Sequence, residues 1–303
     1  MKKIIIDNTG GGQRLDKFLS RYMPAAPKST IHKLVRKKVI IVNERKTDAS
    51  YILETGDVIT LFLADDTIAK FVSQKAADVS GVIDIIYEDD HILFANKPAN
   101  LLTQPDARAG DSLLGRVRAH CDSDVVFKPV AVNRIDRNTT GIAVFAKTVT
   151  AAQILSKIFH DRDVDKYYLA VICGELRDKK RLEGAHSKDE AKNKAEISGE
   201  GDKISITEVY PIGYSLKTDT TTARIKLITG HSHQIRAHML SINHPIVGDP
   251  KYGRAGASPR ATARRQLLHA HEIHFPKAWG ALEYLRGQTF AAPIPADILK
   301  FTP

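Results

Sequence analysis

The sequence predicts an α+β chain: a small basic domain with two short helices, then a larger body built on an extended, largely antiparallel mixed sheet flanked by helices and loops. Three observations predict it. Strand-like segments outnumber helical ones after the first eighty residues, and no regular βαβ repeat joins them. Positive charge is crowded into one stretch near the N-terminus. Apolar residues make up 43% of 303, enough for a sizeable core, which excludes disorder for the bulk of the chain. No apolar run is long enough to cross a bilayer, and MKKIIIDNTG is too short in apolar residues for a signal peptide. Cys121 and Cys173 form neither a disulfide framework nor a CxxC pair, so a reducing cytoplasm is the expected compartment.

The charge has a pattern as well as a size. Forty-five Lys and Arg against 35 Asp and Glu leave a formal +10, which favours nucleic acid or an anionic membrane face as partner. Gln13 to Asp48 holds ten of the bases and three acids, a net +7. Within it Leu15, Phe18 and Leu19, then Ile31, Leu34 and Val35, follow the i, i+3, i+4 spacing of two amphipathic helices. Pro27 breaks the chain before the second helix and Ser29 is placed to cap it. Lys33, Arg36 and Lys37 share that helix's polar face. A short strand, Ile40 to Val42, runs into the polar turn Asn43 to Lys46, and Gly56-Asp57 turns into a strand from Val58. Gly10 to Gly12 precedes no P-loop lysine and is expected as a flexible lead-in, while Ala64 to Ser80 is expected as a linker or peripheral strand.

From Val82 the strand-and-turn habit dominates. Ile83–Tyr87, His91–Ala95, Ile142–Ala146, Tyr167–Cys173 and Ala223–Ile228 read as strands, and Ala151–Phe159 and Gln234–Ile242 as helices. The charged run Leu176 to Lys203 reads as a solvent hairpin. Three segments have the residues for chemistry. The polar loop Val132–Gly141 presents Asp136, although Arg–Asp pairs and threonine hydroxyls alone would also explain it. Period 2 puts Tyr168, Ala170 and Ile172 on one strand face, where a tyrosine is ordinarily core. Leu227–His238 passes through Thr229-Gly230 into a helix, aiming backbone N–H groups at an anion. His231, His233 and His238, like His269, His271 and His274, invite a metal reading. With no HExxH and no carboxylate at a supporting spacing, no metal ligand is expected.

RLDKFL, PKSTIHKLVRKKVIIVN and ETGDVITL, in that order, resemble the ribosomal-protein-S4-like RNA-binding domain. The resemblance implies RNA-backbone contacts from Lys33, Arg36, Lys37, Arg45 and Lys46. From about Val82 to Phe275, YEDDHILFANKP, RIDRNTTG, KYYLAVICG, LITGHSHQIRAH with HPIVGDPKYG, and LLHAHEIHF resemble the RluA/RluC-type pseudouridine synthases in order and spacing. Together the two resemblances imply an S4-like domain over 12–64, a linker over 65–81 and a pseudouridine synthase domain over 82–303. They also imply a monomeric, cytoplasmic isomerase without cofactor or membrane partner. Its substrate would be uridine in ribosomal RNA, the large subunit favoured and tRNA the rival. Asp136 would be the catalytic aspartate, Tyr168 the ring packed on the target base, Arg236 the ion-pair partner of Asp136, and Arg134 a contact to RNA near the flipped nucleotide.

The reaction needs no redox change, which suits a chain without a dinucleotide motif. It needs an ionised carboxylate beside sugar and base in a nearly dry pocket. Attack on the base, attack on C1′ and proton abstraction to a glycal are all open to such a carboxylate, and Tyr168 has a second role open to it as base for the C5 proton. Asn133 stands where the family more often has histidine, His231 where arginine is usual and Asn243 where glycine is usual. The first two bear on target choice. A binding-only assembly factor on the same scaffold would have no reason to keep Asp136, Tyr168 and Arg236 together.

Overall fold

The computed structural model describes residues 1–72, 81–106, 110–121, 126–189, 194–198, 203–253, 261 and 263–301. The N-terminal part contains β1 (Lys2–Ile5), β2 (Gln13–Arg14), α1 (Leu15–Tyr22), α2 (Lys28–Arg36), β3 (Ile40–Val42), β4 (Ile52–Leu53), β5 (Val58–Leu61) and α3 (Asp65–Val72). The apolar spacing read from the sequence is buried: Leu15, Phe18 and Leu19 of α1 and Ile31 and Val35 of α2 pack on Ile40, Val42, Ile59 and Leu61. Three expectations need correcting. Ser29 is not the cap of α2, because Pro27 is the N-cap residue and no side chain caps it. The stretch expected as a linker is helical over Asp65–Val72, with Ile68 buried in the same core, so burial of Ile68 and Phe71 overrides its weak periodicity; its remainder, 73–80, lies outside the described residues. Residues ahead of Gln13 are not loose either: β1 pairs antiparallel with β5 and Ile6 is buried in this core.

The larger body contains β6 (Ile85–Glu88), β7 (Ile92–Lys97), α4 (Leu113–His120), β8 (Val130–Ala131), β9 (Thr140–Ala146), α5 (Val149–His160), β10 (Asp165–Cys173), β11 (Lys180–Asp189), β12 (Lys194–Ser198), β13 (Ile204–Ser215), β14 (Thr220–Leu227), α6 (Gln234–Ser241), β15 (Leu268–His274), β16 (Thr289–Ala291) and α7 (Ala296–Leu299). They build an eleven-stranded sheet of order β12-β11-β13-β14-β10-β15-β9-β7-β6, with β8 on β9 and β16 on β15. Its pairings are antiparallel except β9 with β15. The charged run is the hairpin β11–β12 at the sheet's end.

Strand β9 is buried along its whole length because helices cover both of its faces. Ile142, Val144 and Ala146 pack toward α5, and Ala143 and Phe145 toward α4. Both helices begin at a hydroxyl cap, Ser112 on the N–H of Gly115 and Thr148 on that of Ala151, caps worth about 1 kcal/mol each. Tyr168, Ala170 and Ile172 of β10 do share one face, and α6 covers it with Ile235 and Met239. Gly141 opens β9 with φ +105°, where a Cβ would collide with the Ala270 carbonyl of β15. Only glycine lets the two strands meet there.

Candidate active site

The loop between β8 and β9 is tied down along its length. Ile135 N–H donates to Thr103 Oγ1 at 3.2 Å, and that hydroxyl donates to the Ile135 carbonyl at 3.0 Å. Lys97, at the end of β7, is wholly buried and donates from Nζ to the carbonyls of Pro98, Leu101 and Arg137 at 2.8, 2.7 and 2.9 Å. Burial pushes its ammonium down to about 7 and the Asp136 charge opposes that. Three carbonyls match the three N–H donors of the protonated form. On the other side Arg265 reaches the Asn138 carbonyl at 3.3 Å and Gln266 donates to Thr139 Oγ1 at 2.9 Å. The loop therefore presents Asp136 from a fixed frame, its side chain 26% exposed.

Arg236 comes to it from α6, one hundred residues along the chain. Its Nη1 donates to Asp136 Oδ2 at 2.9 Å. The other edge of the guanidinium is gripped by Asp249, Nε to Oδ2 at 2.6 Å and Nη2 to Oδ1 at 2.8 Å. Asp249 is itself held, since its Oδ1 accepts the N–H groups of Lys251 and Tyr252 at 2.9 and 3.0 Å. Segment 245–247 hydrogen-bonds along β10 through Cys173 and Val171, which fixes where Asp249 falls. Burial works against the Arg236 cation, but Asp249 first and Asp136 second hold its pKa above the ordinary value. The Tyr252 ring lies under the guanidinium, 4.8 Å from its carbon, so the fork is clamped on three sides. Asp136 Oδ1 accepts no hydrogen bond among the described residues.

Tyr168 belongs to the same apolar cluster as Ile135 and Ile235, the neighbours of Asp136 and Arg236. Burial, then the charge of Asp136, raises its phenol well above the ordinary value. Both causes favour the neutral phenol over the phenolate. Arg134 is exposed, two residues before Asp136 in the same loop. In the N-terminal part Lys33, Arg36 and Lys46 line one groove together with Ser29, His32 and Asp48, whereas Lys37 and Arg45 are exposed outside that lining. Asn43 and Glu44, both at positive φ, make the tight turn that carries Arg45 and Lys46. Four of the histidines bond to hydroxyls of the fold: His231 to Ser205, His238 to Thr207, His269 to Thr140 and His274 to Thr289. No group of three His, Cys, Asp or Glu among the described residues is arranged to hold a metal.

Residues 91–241 match the family model described as RNA pseudouridylate synthase, and residues 13–59 match the S4 domain. A relative from Vibrio vulnificus, "Ribosomal large subunit pseudouridine synthase C", is 32% identical, over 89% of this chain and 87% of its own. The chain belongs to the RNA pseudouridine synthase family. A second relative, "Ribosomal large subunit pseudouridine synthase D" from Neisseria meningitidis serogroup B, is 30% identical over 95% of this chain and 77% of its own. Among solved structures, "Human RNA Pseudouridylate Synthase Domain Containing 1" shares the fold with a TM-score of 0.58 over 70% of this chain and 83% of that one, at 22% identity. The protein is thus an RNA uridine isomerase with an N-terminal S4 domain.

Two of the three departures from the family pattern have a structural account in this synthase. Asn243 has φ +60°, the left-handed conformation that glycine adopts freely and asparagine tolerates. Asn133 accepts the Val144 N–H at 2.8 Å and so ties the loop to the strand beside it. Asp249, Lys97 and Tyr252 were missed as site residues by sequence reasoning. Lys97 follows Asn96 at the end of an apolar run, where a lysine reads as the strand's exit to solvent. Asp249 follows Gly248 in HPIVGDPKYG, where it reads as an ordinary turn residue.

Proposed function

We propose that Asp136 is the catalytic carboxylate of this synthase and that its substrate is a uridine of large-subunit ribosomal RNA, flipped out of its stack. The carrying observation is the ion pair between Asp136 Oδ2 and a doubly clamped Arg236, which leaves Oδ1 unengaged. Isomerisation breaks the bond from C1′ to N1, turns the uracil, joins C1′ to C5, and moves one proton from C5 to N1. An ionised carboxylate with one free oxygen suits the sugar–base bond that must break. Arg236 Nη1, itself held by Asp249, keeps the carboxylate oriented. Tyr168 is 8% exposed on the face that α6 covers, and the extruded ring would pack on that exposed part, while exposed Arg134 offers a cation to the neighbouring phosphates. Extrusion costs a few kcal/mol, which phosphate contacts from Lys33, Arg36, Lys37, Arg45 and Lys46 offset. The names of the relatives support ribosomal RNA as target.

Asp136→Asn should abolish conversion in RNA from cells lacking the protein while RNA affinity stays within about twofold. Normal conversion by that variant would sink the assignment. Pseudouridine mapping in the same cells should show the missing sites in large-subunit rRNA, and loss confined to tRNA would overturn the substrate.

A further inference from the structure

His233 stands three residues before Arg236, in a conformation a histidine seldom adopts. It is the N-cap residue of α6 with φ 56° and ψ 16°, the left-handed region, which costs a residue with a Cβ roughly 1–2 kcal/mol. A capping role does not explain this strain, because its side chain makes no cap hydrogen bond. Strain retained beside a reacting group points to use of the side chain.

What the side chain does is set by Tyr252. The Ala195 N–H of β12 donates to Tyr252 Oη at 2.6 Å, and His233 Nδ1 lies 3.1 Å from the same oxygen. Tyr252 is buried, so its hydroxyl proton must find an acceptor, and His233 Nδ1 is the acceptor at hand. The bond therefore runs from Tyr252 O–H to Nδ1, which leaves the ring proton on Nε2. The ring is also fixed in angle, edge-on to Tyr252 at 85° with centroids 5.8 Å apart. Nε2 has no hydrogen-bond partner among the described residues and is not among the buried unpaired atoms. Burial lowers the imidazole pKa, Arg236 and Lys251 add to that, and Asp136 and Asp249 oppose it.

We propose that His233 contacts the substrate, presenting Nε2–H beside Asp136 as a fixed donor to an oxygen of the extruded nucleotide. This rests on the reading of Asp136 as the carboxylate at which that nucleotide is bound. Tyr252 is then a positioning residue with two duties, backing Arg236 and selecting the His233 tautomer.

Glycine adopts the left-handed region freely, so His233→Gly removes the donor and relieves the strain together. The probe is total RNA from cells lacking the protein, scored uridine by uridine in single-turnover conversion by the full-length chain. A site found in tRNA would overturn the ribosomal reading and leave this test standing. The variant should convert at least tenfold more slowly at an equal or higher thermal midpoint, and imidazole in the buffer should restore part of the rate. Conversion within twofold of wild type overturns the proposal. So does a slow variant with a lowered midpoint, which would make His233 part of the scaffold. On a synthetic RNA bearing the converted uridine, sulfur in place of a base carbonyl oxygen or of a phosphate oxygen should bring wild type and variant together at the atom contacted. Equality at neither atom overturns the donor role.

Discussion

Asp249 shows how much of the candidate site rests on a buried residue. Its carboxylate is wholly buried and takes two of the hydrogen bonds of Arg236, whereas Asp136 takes one and is a quarter exposed. Breaking a buried pair leaves an uncompensated charge and costs about 3–5 kcal/mol, while a partly exposed pair is worth about 1 kcal/mol or less. Asp249→Asn should therefore lower the unfolding free energy by about 3 kcal/mol, and Asp136→Asn by about 1 kcal/mol or less. Urea unfolding of both variants reads the difference, and equal losses would mean that Asp249 is no clamp. Asp136, Tyr168 and Arg236 could be proposed from the sequence because each sits in a distinctive segment and the three segments come in one order. Asp249, Lys97 and Tyr252 act through burial and backbone partners, which leave no periodicity behind.

At the scale of elements, legibility followed the strength of the apolar pattern. Strand β10 and helices α1, α2, α5 and α6 carry clear period-2 or i, i+3, i+4 spacing and lie near their expected positions. Helix α3 does not, because only Ile68 and Phe71 hold it to the core, and β1 was unreadable until β5 paired with it. Histidine bonds also tie elements together in a way no spacing reveals. His238 of α6 meets Thr207 of β13, and His269 of β15 meets Thr140 of β9, each at 2.8 Å with Nε2 buried and unpartnered. Burial, the chief cause, lowers both imidazoles to about 4. The unfolded chain takes these protons near 6.5 and the folded chain only near 4, so stability must fall as pH drops from 6.5 toward 4. The double variant His238→Gln, His269→Gln should show a shallower fall in urea midpoint between pH 7 and pH 5. An identical slope would place the acid sensitivity elsewhere.

Across the whole molecule the two parts are docked as well as linked. Val126 N–H donates to Asp7 Oδ2 at 2.9 Å, Val149 N–H to the Thr9 carbonyl at 3.0 Å, and Gln153 to the Gly12 carbonyl at 2.9 Å, while Arg21 lies over the Phe127 ring. The glycine-rich lead-in is thus a contact surface, which its composition alone hid. A docked S4 domain carries its charge at a set position relative to Asp136. Of the formal +10, a net +7 lies between Gln13 and Asp48, and Lys33, Arg36 and Lys46 share one groove. Each phosphate neutralised contributes roughly 0.7–0.9 to the slope of log affinity against log salt. Replacing those three by glutamate should make the slope shallower by about 2–3 and weaken RNA binding at low salt. Conversion at saturating RNA should stay near wild type, because Asp136 and Arg236 are untouched. Filter binding between 50 and 200 mM salt reads the slope on the order of these values. A slope that does not move would mean that this basic face is solvated surface and that RNA is gripped by the catalytic body alone.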